Sequence, residues 1–266
     1  MKWNGGVRFI LVGVIFFPII SNNATANPVS GTIPASGAVL LSDVPAYTTS
    51  YATAPAVGLM FLGYYALHGY PQLIPADPRE QSSSINDLMI SPDHLRDYAS
   101  PVDSLGNLQA DGSVLDPPPH PDDCMADLMY TSRYIVNNPY GYTHLGDFSD
   151  GIGRYASWQN LELPAEINDL TVLGQAAITS GTFAIIRSEI DARRPLIGVY
   201  AVTRQTDLNF GFNDWLLIVG YDPTPHPSLV AVLNPKLDKN VHWLPFTPWE
   251  DGVLSWVYLE YSATPN

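Results

Sequence analysis

The chain has one cysteine, Cys124, in 266 residues. No intrachain disulfide can form, so its stability must come from packing. Positive charge is also scarce: 12 Lys+Arg stand against 26 Asp+Glu, a formal net charge of −14. Binding nucleic acid through its phosphates requires the opposite balance, so that partner class is not expected. The sequence has no two-histidine helical metal motif, no Cys/His spacing of the zinc-module kind and no EF-hand loop. Gly151-Ile152-Gly153 lacks the third glycine and the preceding strand of a nucleotide loop. No metal and no cofactor are therefore expected. Beyond residue 26 no apolar run approaches the roughly 20 residues of a spanning helix. What the chain does have is a 46% hydrophobic content with 15 tyrosines, enough for a sizeable core.

The N-terminus reads as a secretory signal over residues 1–26. Lys2 and Arg8 precede an apolar stretch from Phe9 to Ile20, and Ala24-Thr25-Ala26 is a small-x-small cleavage site. The expected product is secreted, periplasmic or extracellular, with no stable membrane span after cleavage. Removing Lys2 and Arg8 leaves 10 of the 12 Lys+Arg against 26 Asp+Glu, a formal charge of −16. Residues 27–43, with Pro, Ser and Gly prominent, read as an N-terminal arm, and residues 44–266 as one domain.

Within that domain helices come first and strands second, an α+β order. The run from Ala56 to Leu67 is apolar on all sides, so its helix should be buried, with Gly69 and Pro71 ending it. After a proline-interrupted loop, Ser82-Ser83-Ser84 caps the next segment, and Ser91 to Asp97 starts another helix. Pro121 opens a helix carrying Asp122 and Asp123 in its first turn and Cys124, Leu128, Thr131 and Ile135 along one face, ended by Asn137-Asn138-Pro139. Helices are also expected at 151–160 and 183–192. Leu196–Val202, Trp215–Tyr221 and Leu229–Leu233 are short β-branched or aromatic runs of an antiparallel sheet, and 253–261 is a further strand covered on both sides.

The segment ATAPAVGLMFLGYY (Ala52 to Tyr65) resembles the nucleophile helix of papain-superfamily cysteine peptidases related to the bacteriocin-leader-processing enzymes. In that group it reads approximately Gly-Cys-Ser-Pro-Thr-Ala-Ala-Gly-Met-Leu-Phe-Gly-Tyr-Tyr. HPDDCMADLMYTS (His120 to Ser132) is similar to a second stretch of the group, and EIDARRPLIGVYAV, NDWLLIVGYD, VAVLNP and VHWLPF come after it in family order. The resemblance implies a papain-like two-lobe fold, a helical N-terminal part followed by an antiparallel sheet. It also assigns positions. Thr53 falls on the nucleophile, Asp214 on the histidine base, Asn234 on the residue that orients the histidine, and Tyr47 where an oxyanion-hole glutamine is usual.

Catalysis on this plan needs a thiolate, an imidazole and donors for the developing oxyanion. A threonine hydroxyl is scarcely ionised near neutral pH, and an aspartate of ordinary pKa, near 3.9, is a weak base. The reading is thus an exported pseudopeptidase whose cleft, if used, binds a peptide, protein or other polar ligand without cleaving it. Tyr51 and Trp215 are its candidate binding aromatics, and Thr53 is expected to cap its helix. Two enzyme alternatives stay open: Thr53 with Asp214, or Cys124 as nucleophile with His120. A third alternative is a purely structural extracellular protein. Cys124 itself is read as a core residue, because it shares its stripe with Leu128 and Ile135.

Overall fold

A computed structural model describes residues 37–98, 120–132, 141–163, 167, 170–173, 180–202, 213–224, 228–246 and 254–261. The expected signal segment, most of the N-terminal arm and of the connector around Pro117, and Ile135 and Asn137 lie outside them. Helices α1 (Thr53–Leu67), α2 (Ser83–Met89), α3 (Pro92–Tyr98), α4 (Met125–Leu128), α5 (Leu145–Trp158) and α6 (Ser180–Asp191) accompany strands β1 (Val39–Leu40), β2 (Leu170–Leu173), β3 (Leu196–Val202), β4 (Asn213–Asp222), β5 (Leu229–Leu233), β6 (Val241–Pro245) and β7 (Leu254–Tyr261). The class is α+β.

The strands form one antiparallel sheet in the order β2-β7-β3-β4-β5-β6. β3 begins at Leu196 opposite Ile218, and beyond that point β1 takes its place beside β4, pairing Leu40 with Gly220 and Val39 with Tyr221. A Cβ at position 220 would strike the Val39 carbonyl oxygen, so only glycine admits β1 at this distance. Strand β4 is buried on both faces from Trp215 on. Trp215, Leu217 and Val219 of β4 join the core around α1, while Leu216, Ile218 and Tyr221 pack with Ile186 and Ile190 of α6. The division has period two through Val219, as the pleat requires, and a register irregularity between Ile218 and Gly220 brings Tyr221 to the face of Leu216 and Ile218.

Helix α1 is the centre of the larger core. Every residue from Thr53 to Ala66 is buried, as its all-round apolar sequence predicts. Gly69 closes it at φ 121°, and the amide of Tyr70 returns to the Tyr65 carbonyl at 3.1 Å. The cap expected from the serine run forms at Ser82, and Ser91 caps the helix expected to start there. Ser82 Oγ accepts from the Ile85 amide at 3.3 Å, and Ser91 Oγ from that of His94 at 3.0 Å.

The segment after Pro121 departs from expectation. Instead of a long helix there is one turn, α4, with Cys124 extended ahead of it and Asp122 and Asp123 outside it. Tyr130 and Ser132 adopt φ 50° and 64° and turn the chain away. Tertiary bonds outweigh local periodicity here. The Ser132 amide donates to the Tyr142 carbonyl at 2.7 Å, and the Thr131 and Thr143 hydroxyls bond at 2.8 Å. Gly151 then lets α5 lie against the Met129 and Leu128 backbone. Two other helices begin earlier than expected, α5 at Leu145 and α6 at Ser180.

Candidate functional site

Two places concentrate chemistry-bearing side chains. The first is the junction between the start of α1 and strand β4, where the Thr53 side chain meets the β4 backbone next to Asp214. The amide of Trp215, next in chain to Asp214, donates to Thr53 Oγ1 at 2.9 Å. Thr53 is the first residue of α1, and the position before it, Ala52, makes no side-chain cap. The threonine therefore does not cap its helix; it ties the helix to the sheet. The group is 4% exposed. Trp215 is 1% exposed and stacks on Phe148 with ring centroids 4.4 Å apart.

Asn234 follows β5, the neighbour of β4. Its Oδ1 accepts from the Lys236 amide at 2.9 Å, and its carbonyl from the Leu237 amide at 3.0 Å, a turn built by its own side chain. The loop before α1 is anchored to that turn, because the Thr49 amide donates to the Pro235 carbonyl at 2.9 Å. Tyr47 is elsewhere. Its hydroxyl donates to the Pro78 carbonyl at 2.7 Å beside Gly63, ten residues along α1 and so roughly 15 Å from Thr53. Burial raises its phenol well above the ordinary range, so it remains a neutral donor to that carbonyl. Tyr51 is buried too, its hydroxyl 2.6 Å from Ser132 Oγ. The two candidate binding aromatics are thus core residues, packed rather than open.

The second place lies among α3, the segment 120–124 and α4. Asp127, on the single turn of α4, is a carboxylate 1% exposed. Its Oδ1 accepts from His94 Nδ1 at 2.6 Å, and His120 Nε2 lies 3.1 and 3.2 Å from its two oxygens. Cys124 Sγ and the Asp123 amide both donate to Oδ2 at 3.2 Å. The other nitrogen of His120 is 2.7 Å from Asp97 Oδ2, and Asp97 Oδ1 receives Arg96 Nε at 2.9 Å. A row of alternating charge therefore runs inward from exposed Arg96 through Asp97 and His120 to Asp127.

Ionised carboxylates only accept, so a His120 that spans two of them carries both protons. Burial opposes that charge, but Asp127 and Asp97 outweigh it and hold the His120 pKa above its ordinary value. Burial likewise opposes ionisation of Asp127, and the bonds from His94 and its other donors overcome it, leaving the carboxyl well below the usual range. Arg96 and His120 lower Asp97 in the same way. Burial, reinforced by the charge of Asp127, raises the Cys124 thiol far above its ordinary value. Such a thiol is inert, which favours the core reading of Cys124 over a nucleophile paired with His120.

Local spacing conceals this network, because His94 and Asp97 stand 33 and 30 positions before Asp127. A usable signal was the carboxylate itself: Asp127 lies within the apolar run Met125–Met129, and a charge so placed demands partners. No protein-family model, no curated protein and no solved structure matches the chain.

Proposed function

We propose that this chain is an exported pseudopeptidase with a papain-like two-lobe plan, in which the former reacting positions serve architecture. The observation that carries the reading is the Trp215 amide bonded to Thr53 Oγ1. A nucleophilic hydroxyl must hand its proton to a base positioned beside it. Here the hydroxyl oxygen accepts a hydrogen bond from a backbone amide at a buried helix–strand contact, and the base position carries Asp214. The order of the sequence motifs, the buried helix α1 against β4 and the helix-then-sheet arrangement support descent from the peptidase plan. Tyr51 and Trp215, the described aromatics of this junction, are packed in the core, which favours a scaffold over a peptide-binding cleft. Thr53→Cys with Asp214→His tests the reading. The double variant is expected to acquire a thiol that reacts with a peptidase probe, while either single variant stays unreactive. Failure of the folded double variant to react would count against the positional assignment.

A further inference from the structure

The network around Asp127 is incomplete as a set of hydrogen bonds. Asp123 Oδ1 is shielded from solvent and has no partner, although it belongs to a carboxylate next to a second carboxylate. One ligand atom from each of His120, Asp123 and Asp127 can be chosen so that all three lie within 4.8 Å of one another. Two adjacent carboxylates repel each other, and the His120 imidazolium that faces Asp127 leaves the buried Asp123 Oδ1 without a donor. Neither is reached by an arginine or lysine side chain among the bonds of the described residues: Arg96 is engaged by Asp97 and Asp93.

The surroundings are those of a prepared ligand set. His120 directs Nε2 toward Asp127 while its Nδ1 faces Asp97, itself held by Arg96. An imidazole oriented by an outer carboxylate is the usual support of a metal-ligating histidine, since it fixes the tautomer and raises ligand basicity. Asp127 is held in turn by His94 and by the Cys124 thiol. Asp123 and His120 lie on the segment before α4, on either side of exposed Pro121 and half-buried Asp122.

We infer that His120 Nε2 and the carboxylates of Asp123 and Asp127 form a site for a divalent transition-metal ion of the zinc class. One nitrogen and two carboxylate oxygens suit zinc, cobalt or manganese. Entry of the ion releases the Nε2 proton of His120, and the Nε2–Asp127 separation, now 3.1 Å, needs to open only slightly to the roughly 3.3 Å set by two ligands at about 2.0–2.1 Å in a tetrahedral arrangement. Cys124 and His94 stay outside the coordination sphere and hold Asp127 in place.

The test is titration of the chelator-treated protein with Zn²⁺ and with Co²⁺, read by calorimetry, visible absorption and melting temperature. Expected are one ion per chain and a rise in melting temperature with Zn²⁺. Asp123→Asn and Asp97→Asn should each weaken affinity at least tenfold. Asp123→Asn removes the like-charge pair, so the metal-free variant is expected to melt no lower than the parent, which separates lost binding from lost folding. Binding unchanged in Asp123→Asn, or no heat and no melting shift at stoichiometric metal, would overturn the assignment. So would a cobalt–thiolate charge-transfer band, which would move the ion to the other face of Asp127, against His94 and Cys124.

Discussion

The Thr53–Trp215 junction and the Asp127 network, both buried near the start of α1, invert what their sequences suggest. The resemblance assigns reacting positions around the junction, yet the described side chains there bond to backbone: Thr53 to the Trp215 amide and Asn234 to the Lys236 amide, while Tyr47 bonds the Pro78 carbonyl far along α1. Around Asp127 the sequence reads as a helix with a core cysteine on its apolar face, yet the fold gathers two histidines, a thiol and three carboxylates into one network. A position suggested by resemblance and the chemistry found there are separable. What a site can do is set by where its protons and charges go.

The contrast can be broken most forcefully at Asp127. Replacing it with alanine leaves two imidazoles, a thiol and a backbone amide without their acceptor, with the His120 charge still buried. Loss of one member of a buried ion pair costs about 3–5 kcal/mol, and urea unfolding of the variant should register a loss of that order. An unchanged midpoint would mean that the network does not hold α3 to α4.

The same network gives the metal-free protein a bounded pH range. Asp127 has a folded pKa below its unfolded value, so its contribution is present above about 3.9 and is lost as pH falls through the folded value. His120 behaves in the opposite sense. Its folded pKa is raised, so its contribution is complete below about 6.5 and is lost as pH rises through the folded value. The melting temperature should therefore be highest between about pH 4 and 6.5 in chelator, and His120→Gln should remove the decline on the alkaline side.

Substitutions at the junction should cost less. Thr53→Val keeps the shape but leaves the buried Trp215 amide without its acceptor, a loss of about 1–3 kcal/mol, whereas Thr53→Ser should be close to neutral. Equal effects of valine and serine would deny the hydroxyl its tying role. The smallest effect is expected at Asn234→Ala, about 0.5–1.5 kcal/mol for one turn-capping bond, read from the same unfolding curves.

Part of this architecture is legible in the residues and part is not, for physical reasons. Helix α1 announces itself, because an all-round apolar run with glycine and proline beyond it has few other fates, and burial of Thr53 through Ala66 agrees. Strands β3 to β5 are visible because β-branched runs between turn signals suit a sheet packed on both faces. Helix α4 is shorter than its pattern suggests: periodicity in Cys124, Leu128 and Thr131 is real, and all three are buried, but left-handed Tyr130 and Ser132 and the bonds to Tyr142 and Thr143 end the turn. The side-chain tie from Thr53 to Trp215 spans 162 positions, and the bond from His94 to Asp127 spans 33. Neither can be read from spacing, since only the folded chain creates them.

The central claim is that Thr53 holds a helix to a strand and does not attack a carbonyl. The most direct measurement incubates purified protein, beside Thr53→Ala, with a broad peptide mixture and tracks new termini by mass spectrometry. Neither protein is expected to cleave. Cleavage by the parent that disappears in a folded Thr53→Ala variant would contradict the claim.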